Sequence, residues 1–227
     1  MKNGIFITGT DTGIGKTLMT LGIALALKGQ DRDVVMMKPL SCGPTGENDV
    51  LLYRRHLKLT DDPKLLNPYW FPLPAAPIVA AKSAKKKIDI QKITRAYKKL
   101  CDTHEIVLVE GVGGLMVPIF PKYTVRELIL AFGAPTIVIA RAGLGTLNHT
   151  IMTVEILKES KIPIIGIILN GFRGGDPTEK TNGKVIEEHT GISVLAEVPW
   201  NKKFVQNPRL LAINLLGQKK LGGFLRP

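Results

Sequence analysis

Apolar residues along this chain follow two rhythms that take turns. Short β-branched runs at 4–8, 33–38, 106–109, 136–140, 164–169 and 193–198 read as strands. Between them lie segments at helical spacing: 17–28, 90–103, 125–132, 147–159 and 179–189. In the second of these, Ile90, Ile93, Tyr97 and Leu100 fall on one helix face. The strand runs are continuously apolar, so both faces of the sheet must be covered. This alternation predicts an α/β fold, with a mostly parallel central sheet, helices on both faces and right-handed crossovers. Ligands bind such sheets at the carboxyl ends of the strands, so chemistry is expected just after each strand. Residues 67–77, rich in proline and aromatics, are expected to form a covering loop. Beyond Asn207 a short apolar stretch, 210–216, precedes a basic, glycine-rich end that is expected to fray.

Composition narrows the picture. The 227 residues are 44% hydrophobic, which suits one globular domain over 1–227 with a substantial core. No uninterrupted apolar run reaches the roughly 18 residues of a membrane-spanning helix. The first strand leads into a glycine-rich loop, where a signal peptide would have a small-residue cleavage site. Cys42 and Cys101 are the only cysteines and lack metal-ligand spacing, which fits a reducing cytoplasm. The net charge of +12 suits solvent or a small polyanion such as a nucleotide better than nucleic acid. The densest basic cluster, Lys82, Lys85, Lys86 and Lys87, has no interleaved aromatics. Neither a nucleic-acid nor a membrane partner is expected.

Gly9-Thr10-Asp11-Thr12-Gly13-Ile14-Gly15-Lys16-Thr17 follows the first strand and opens the first helix. Its glycines let backbone N–H groups turn inward on phosphate oxygens, and the helix N-terminus adds its positive dipole end. Lys16 would reach the terminal phosphates and the Thr17 hydroxyl a Mg²⁺ ion. The usual phosphate loop has about four residues between its first glycine and the Gly-Lys pair, whereas here there are five, 10–14. The strand before it and the helix after it still make the fold P-loop NTPase-like.

Other strand ends carry candidates. Lys38 precedes Pro39, which stops strand pairing, and reads either as a charge clamp on a transferring phosphoryl group or as a solvated lysine. Glu110, at the end of an apolar run, needs a partner: a metal ion, or the turn that it would cap. Asp49, after Glu47 and Asn48, is by itself more often a helix cap than a metal ligand. Asn170 could read a purine edge by donating and accepting at once, or simply occupy a turn.

Taken in order, these residues resemble the dethiobiotin synthetase family along nearly the whole chain. The family's Thr-Gly-Thr-Asp-Thr loop ending in Gly-Lys-Thr matches Thr8–Thr12 and Gly15–Thr17, with the same five-residue spacing. Its Lys-Pro matches Lys38-Pro39, and its Val-Glu-Gly-x-Gly-Gly matches Val109–Gly114. Its Leu-Gly-x-x-Asn-His is similar to Leu144–His149, and its Glu-hydrophobic-Pro-Trp to Glu197–Trp200. The resemblance implies an ATP-dependent cyclo-ligase of biotin biosynthesis that joins CO₂ to the amines of 7,8-diaminononanoate. An amine would capture CO₂ as a carbamate. The carbamate would attack the γ-phosphoryl group to give a carbamic–phosphoric anhydride, and the second amine would close the ring.

The resemblance also assigns roles. Lys16 and Lys38 would be catalytic, and Thr17, Asp49 and Glu110 would surround Mg²⁺. ATP, as substrate, would lie against Thr12, Gly13, Ile14, Gly15, Lys16, Thr17, Leu18, Asp49, Glu110, Gly111, Val112 and Gly113. Asn170, Gly171, Pro199, Trp200 and Asn201 would sit by the adenine. Ser41 and Cys42 would contact the diamine. The family is a homodimer, and Asn148 of one subunit would approach the substrate held by the other.

Three departures fall on the substrate side: Gly13 where some members carry Glu, Cys42 where a hydroxyl is usual, and Ala75-Ala76-Pro77-Ile78 where Ser-Pro-His is common. Two rival readings remain. One is a partitioning or cell-division switch ATPase that binds a surface or partner. Its loop usually carries a lysine where this chain has Thr10. The other is a cobyrinate amidase-type ligase, for which the chain is too short to hold a glutamine-hydrolysing domain.

Overall fold

The computed structural model describes residues 3–44 and 49–225. In chain order the elements are β1 (Gly4–Gly9), α1 (Lys16–Lys28), β2 (Val34–Met37), β3 (Leu40–Cys42), α2 (Asp49–Leu57), α3 (Pro63–Leu66), β4 (Tyr69–Phe71) and α4 (Pro77–Ser83). Then come α5 (Ile90–Thr103), β5 (Ile106–Glu110), β6 (Pro118–Phe120), β7 (Tyr123–Thr124), α6 (Val125–Phe132), β8 (Thr136–Arg141) and α7 (Thr146–Glu159). The chain continues with β9 (Ile164–Phe172), α8 (Glu179–Thr190), β10 (Val194–Pro199), α9 (Lys202–Gln206), α10 (Pro208–Gly217) and α11 (Lys219–Leu225).

Six strands form one parallel sheet in the order β10-β9-β8-β1-β5-β2. The apolar runs explain which strands lie inside. Phe6, Ile7, Leu108, Val109, Val138 and Ile139 are wholly buried, as strands covered on both faces require. The connection from β1 runs through α1 to β2 on one side, while that from its neighbour β8 runs through α7 to β9 on the other. That reversal opens a crevice at the carboxyl end of β1, and the glycine-rich loop lies there.

Two expectations are corrected. Residues 67–77 are more than a covering loop. β4 pairs in parallel with β3 (Leu40↔Tyr69, Ser41↔Trp70, Cys42↔Phe71), and α4 begins at Pro77. Runs of three residues are too short to show a period of two. The carboxyl-terminal segment does not fray as far as Leu225. α10 packs on α1 with Leu211 and Leu215 buried, and α11 packs on β10 with Leu221 and Leu225 buried. The contact is close because Gly22 has no side chain: a Cβ there would stand 2.8 Å from Leu211.

Side chains fix two further ends. Thr124 and Glu127 form a reciprocal capping box at the start of α6. His104, just past α5, places Nδ1 3.0 Å from Asp33 and Nε2 3.0 Å from Asp61. It thus ties the approach to β2 and the segment before α3 to the start of β5.

Candidate active site

The loop between β1 and α1 needs conformations that side chains resist. Gly13 (φ 72) and Gly15 (φ 91) are left-handed. A Cβ on Gly15 would lie 2.4 Å from Asn170 Nδ2, and that nitrogen donates to the Ile14 carbonyl at 2.8 Å. The loop is therefore pinned to β9 from its far side. Its near side is held by Asp11, whose carboxylate accepts from Thr12 N at 2.7 Å and pairs with Arg141 at 3.0 Å. Lys16 is buried and donates to the Asp11 carbonyl at 2.7 Å. Burial, aided by the charge of Lys38, lowers its pKa to about 8 against the pull of Glu110, Asp11 and Asp49. An arriving polyanion would hold that ammonium charged.

Four side chains meet in front of the loop. Thr17 donates to Glu110 Oε1 at 2.7 Å. Lys38, just beyond β2, donates to the same oxygen at 3.0 Å and to Asp49 at the first turn of α2. Glu47 and Asn48, which precede Asp49, lie outside the described residues. Burial works against the Lys38 charge, but Glu110 and Asp49 outweigh it and raise its pKa, so the ammonium is kept. Burial also raises the Glu110 pKa, against the pull of Lys38 and Thr17. Its second oxygen, Oε2, is buried and has no hydrogen-bond partner. An orphaned oxygen on a buried carboxyl is a place where a cation would be stabilising.

A magnesium ion fits this donor set. Among the described residues no group of three or more His, Cys, Asp or Glu could hold a metal unaided. Mg²⁺, however, commonly binds through one or two carboxylates, waters and substrate phosphates. Thr17, Asp49 and Glu110 offer only hard oxygens.

Two adjoining clefts hold most of the expected residues. A cleft of about 320 Å³ is lined by Thr12, Gly13, Gly15, Lys16, Thr17, Lys38, Cys42, Asp49, Glu110, Gly111, Val112 and Gly113. A larger one, about 780 Å³, shares Gly13 and Gly15 with it and adds Ile14, Leu18, Asn170, Gly171, Pro199, Trp200 and Asn201. The Asn201 side chain also caps α9, accepting from Lys203 N at 2.9 Å. Asn170 donates one N–H inward to Ile14, which leaves its oxygen and its second N–H for a base edge.

Ser41 and Asn148 stand apart from both clefts, whereas Cys42 lines the smaller one. Ser41 is buried, and its hydroxyl accepts from Asn67 at 3.1 Å. Asn148 is exposed on α7 and lines neither cleft. Burial raises the Cys42 thiol to about 11, although Lys38 pulls the other way, so it stays protonated. Sequence reasoning missed Asn67, whose amide nitrogen also donates to the Lys38 carbonyl at 2.6 Å. It also missed Arg141 and Arg173 on the wall of the larger cleft. No local pattern marks these residues, because their partners are distant in sequence.

Known proteins resemble this chain in sequence and in fold. A family model described as an AAA domain matches residues 3–208. The ATP-dependent dethiobiotin synthetase BioD of Nitrosopumilus maritimus (strain SCM1) is 39% identical, covering 87% of this chain and 89% of its own. The enzyme of the same name from Endomicrobium trichonymphae is 38% identical over 89% of this chain and 95% of its own. Among solved structures, the septum site-determining protein MinD with Mg-ADP from Pyrococcus horikoshii OT3 aligns with a TM-score of 0.61. It covers 99% of this chain and 93% of its own at 17% identity, a likeness of fold alone. The fold is P-loop NTPase-like, and on the strength of relatives aligned over most of its length the chain belongs to the ATP-dependent dethiobiotin synthetase family.

Proposed function

We propose that the protein is an ATP-dependent cyclo-ligase of biotin biosynthesis that forms dethiobiotin from 7,8-diaminononanoate and CO₂, with one domain carrying both clefts. The observation behind this reading is the convergence of Lys16, Lys38, Thr17, Asp49 and Glu110 at the carboxyl ends of β1, β2 and β5. Carbamate and ATP are both anions, so their approach needs positive charge at the meeting point. Lys16 lies beneath the loop, where terminal phosphates would rest. Lys38 lies across the cleft from it, held by two carboxylates and so kept protonated.

The chemistry follows from that placement. One amine adds to CO₂ and loses a proton, giving a carbamate. A carbamate oxygen then attacks the γ-phosphorus and ADP leaves. Backbone N–H groups of the loop and both ammonium groups would offset the charge that builds on the phosphoryl oxygens. The second amine attacks the carbonyl carbon of the mixed anhydride, the ring closes, and phosphate departs. Thr17, Asp49 and Glu110 would hold Mg²⁺, which when bound supplies charge neutralisation at the β- and γ-phosphates. The Asn170 oxygen would accept from the adenine amino group, with Trp200 beside the base. Ser41 and Cys42 would face the diamine. Asn148 would serve the site of a second copy, in keeping with its exposure on α7 and the proposal of a homodimer.

The switch-ATPase alternative draws on the shared fold, but Thr10 stands where such a loop carries its extra lysine. No helix among the described residues is long and apolar enough to cross a membrane. The test is incubation with the diamine, bicarbonate, Mg²⁺ and ATP, followed by mass spectrometry for the cyclic urea. Wild type is expected to form it with one ADP per ring. Lys16→Ala and Lys38→Met are expected to lose about a hundredfold or more in turnover while staying folded by circular dichroism. Full turnover by Lys38→Met would remove that residue from the mechanism.

A further inference from the structure

The larger cleft holds a cation that the phosphate chemistry leaves unused. Arg173 stands one residue beyond β9. Trp200 N donates to the Phe172 carbonyl at 2.7 Å, which sets residues 173 and 200 side by side at the ends of neighbouring strands. The Arg173 guanidinium carbon lies 5.3 Å from the centroid of the Trp200 ring. Trp200 is 59% exposed, so the pair stands in the cleft mouth and not in the core.

The nearby acids are already engaged. Glu179 is buried, and its carboxylate accepts from the backbone N–H of Arg173 at 3.0 Å and of Gly174 at 2.8 Å. Asp176 accepts from Leu144 N at 3.1 Å and from Thr178 N at 2.8 Å. These bonds fix the loop that carries Arg173 while leaving its guanidinium charge uncompensated. Arg141, on the same wall, is paired with Asp11, but no ion pair forms at Arg173 among the described residues. An anchored loop therefore presents a planar cation against an exposed indole, beside the loop where a triphosphate would lie. A flat, π-faced, anionic ligand matches that surface.

We infer that Arg173 is a nucleotide-contacting residue whose guanidinium, backed by Trp200, stacks on the nucleobase. This rests on the nucleotide reading above and adds to it a residue and a kind of contact. Every base has a π-face, so the contribution is indifferent to base identity, unlike a hydrogen bond accepted by the Asn170 oxygen.

Calorimetry with magnesium present separates the possibilities, using ATP, CTP and inorganic tripolyphosphate as ligands. Arg173→Ala is expected to weaken ATP and CTP alike by roughly tenfold and to leave tripolyphosphate unchanged. Arg173→Lys keeps the charge but loses the plane, so it should show most of the same loss. It also serves as the test if the alanine variant does not fold. Unchanged ATP affinity in these variants would overturn the inference. An equal loss for tripolyphosphate would also overturn it, by placing the guanidinium on the phosphates. If wild type bound tripolyphosphate but gained nothing from a base, Arg173 would have no base to stack on. If wild type bound neither nucleotide nor tripolyphosphate, the nucleotide reading itself would fall, a result visible before any variant is made.

Discussion

At the scale of single residues, the candidate chemistry rests on charged groups held at or just beyond the ends of β1, β2 and β5. Lys38 and Glu110 end apolar runs, Lys16 ends the glycine-rich loop that follows one, and the parallel sheet carries all three to one place. Asn67 was invisible in the sequence, because its amide reaches Lys38 and Ser41 across 29 and 26 residues. His104 was equally silent, since both carboxylates that bind it come from other elements. Burial lowers its pKa, but the hydrogen bonds and charges of Asp61 and Asp33 more than reverse this and leave it above 6.5. A folded pKa raised in this way contributes stability that is complete below the unfolded value and lost as pH rises through the folded one. The stability gap between wild type and His104→Gln, from urea titrations, should be widest near about pH 6 and should narrow towards pH 8. A gap that widens with rising pH would contradict the charged bridge.

Among elements, the glycine loop joins local conformation to function most tightly. Its five-residue spacing departs from the simple pattern, but the surrounding strand and helix identify it, and the structure adds the tie from Asn170 to Ile14. Gly15→Ala would force a side chain into the left-handed region and into the Asn170 amide. A loss of about 1–2 kcal/mol in unfolding free energy is expected from the backbone alone. ATP affinity in calorimetry should fall with it. Wild-type affinity in this variant would show that the loop conformation is not needed for binding. The long elements were legible because their periods are long: α5 and α6 match the expected bounds, and the six sheet strands fall within a few residues of theirs. The β3–β4 pair and the β6–β7 hairpin were not, because two or three residues carry no rhythm.

For the whole molecule, the sheet alone does not choose a function. It is shared with MinD at 17% identity, while sequence relatives at 38–39% identity are named ATP-dependent dethiobiotin synthetases. The segment beyond Asn207 behaves as part of the same body. Its leucines were visible, but a surface for them to cover was not, because α1 presents Gly22 only after folding. Leu211→Ala should lower the unfolding free energy by about 2–5 kcal/mol in urea titrations. An unchanged midpoint would mean that α10 contributes nothing to the core. The central claim concerns the pair of anions gathered between Lys16 and Lys38, and an isotope label follows it directly. If a carbamate oxygen attacks the γ-phosphorus, phosphate released in ordinary water from freshly added ¹⁸O-labelled CO₂ must carry one labelled oxygen per ring closed. Phosphate that takes its new oxygen from water instead would show simple hydrolysis and contradict the account.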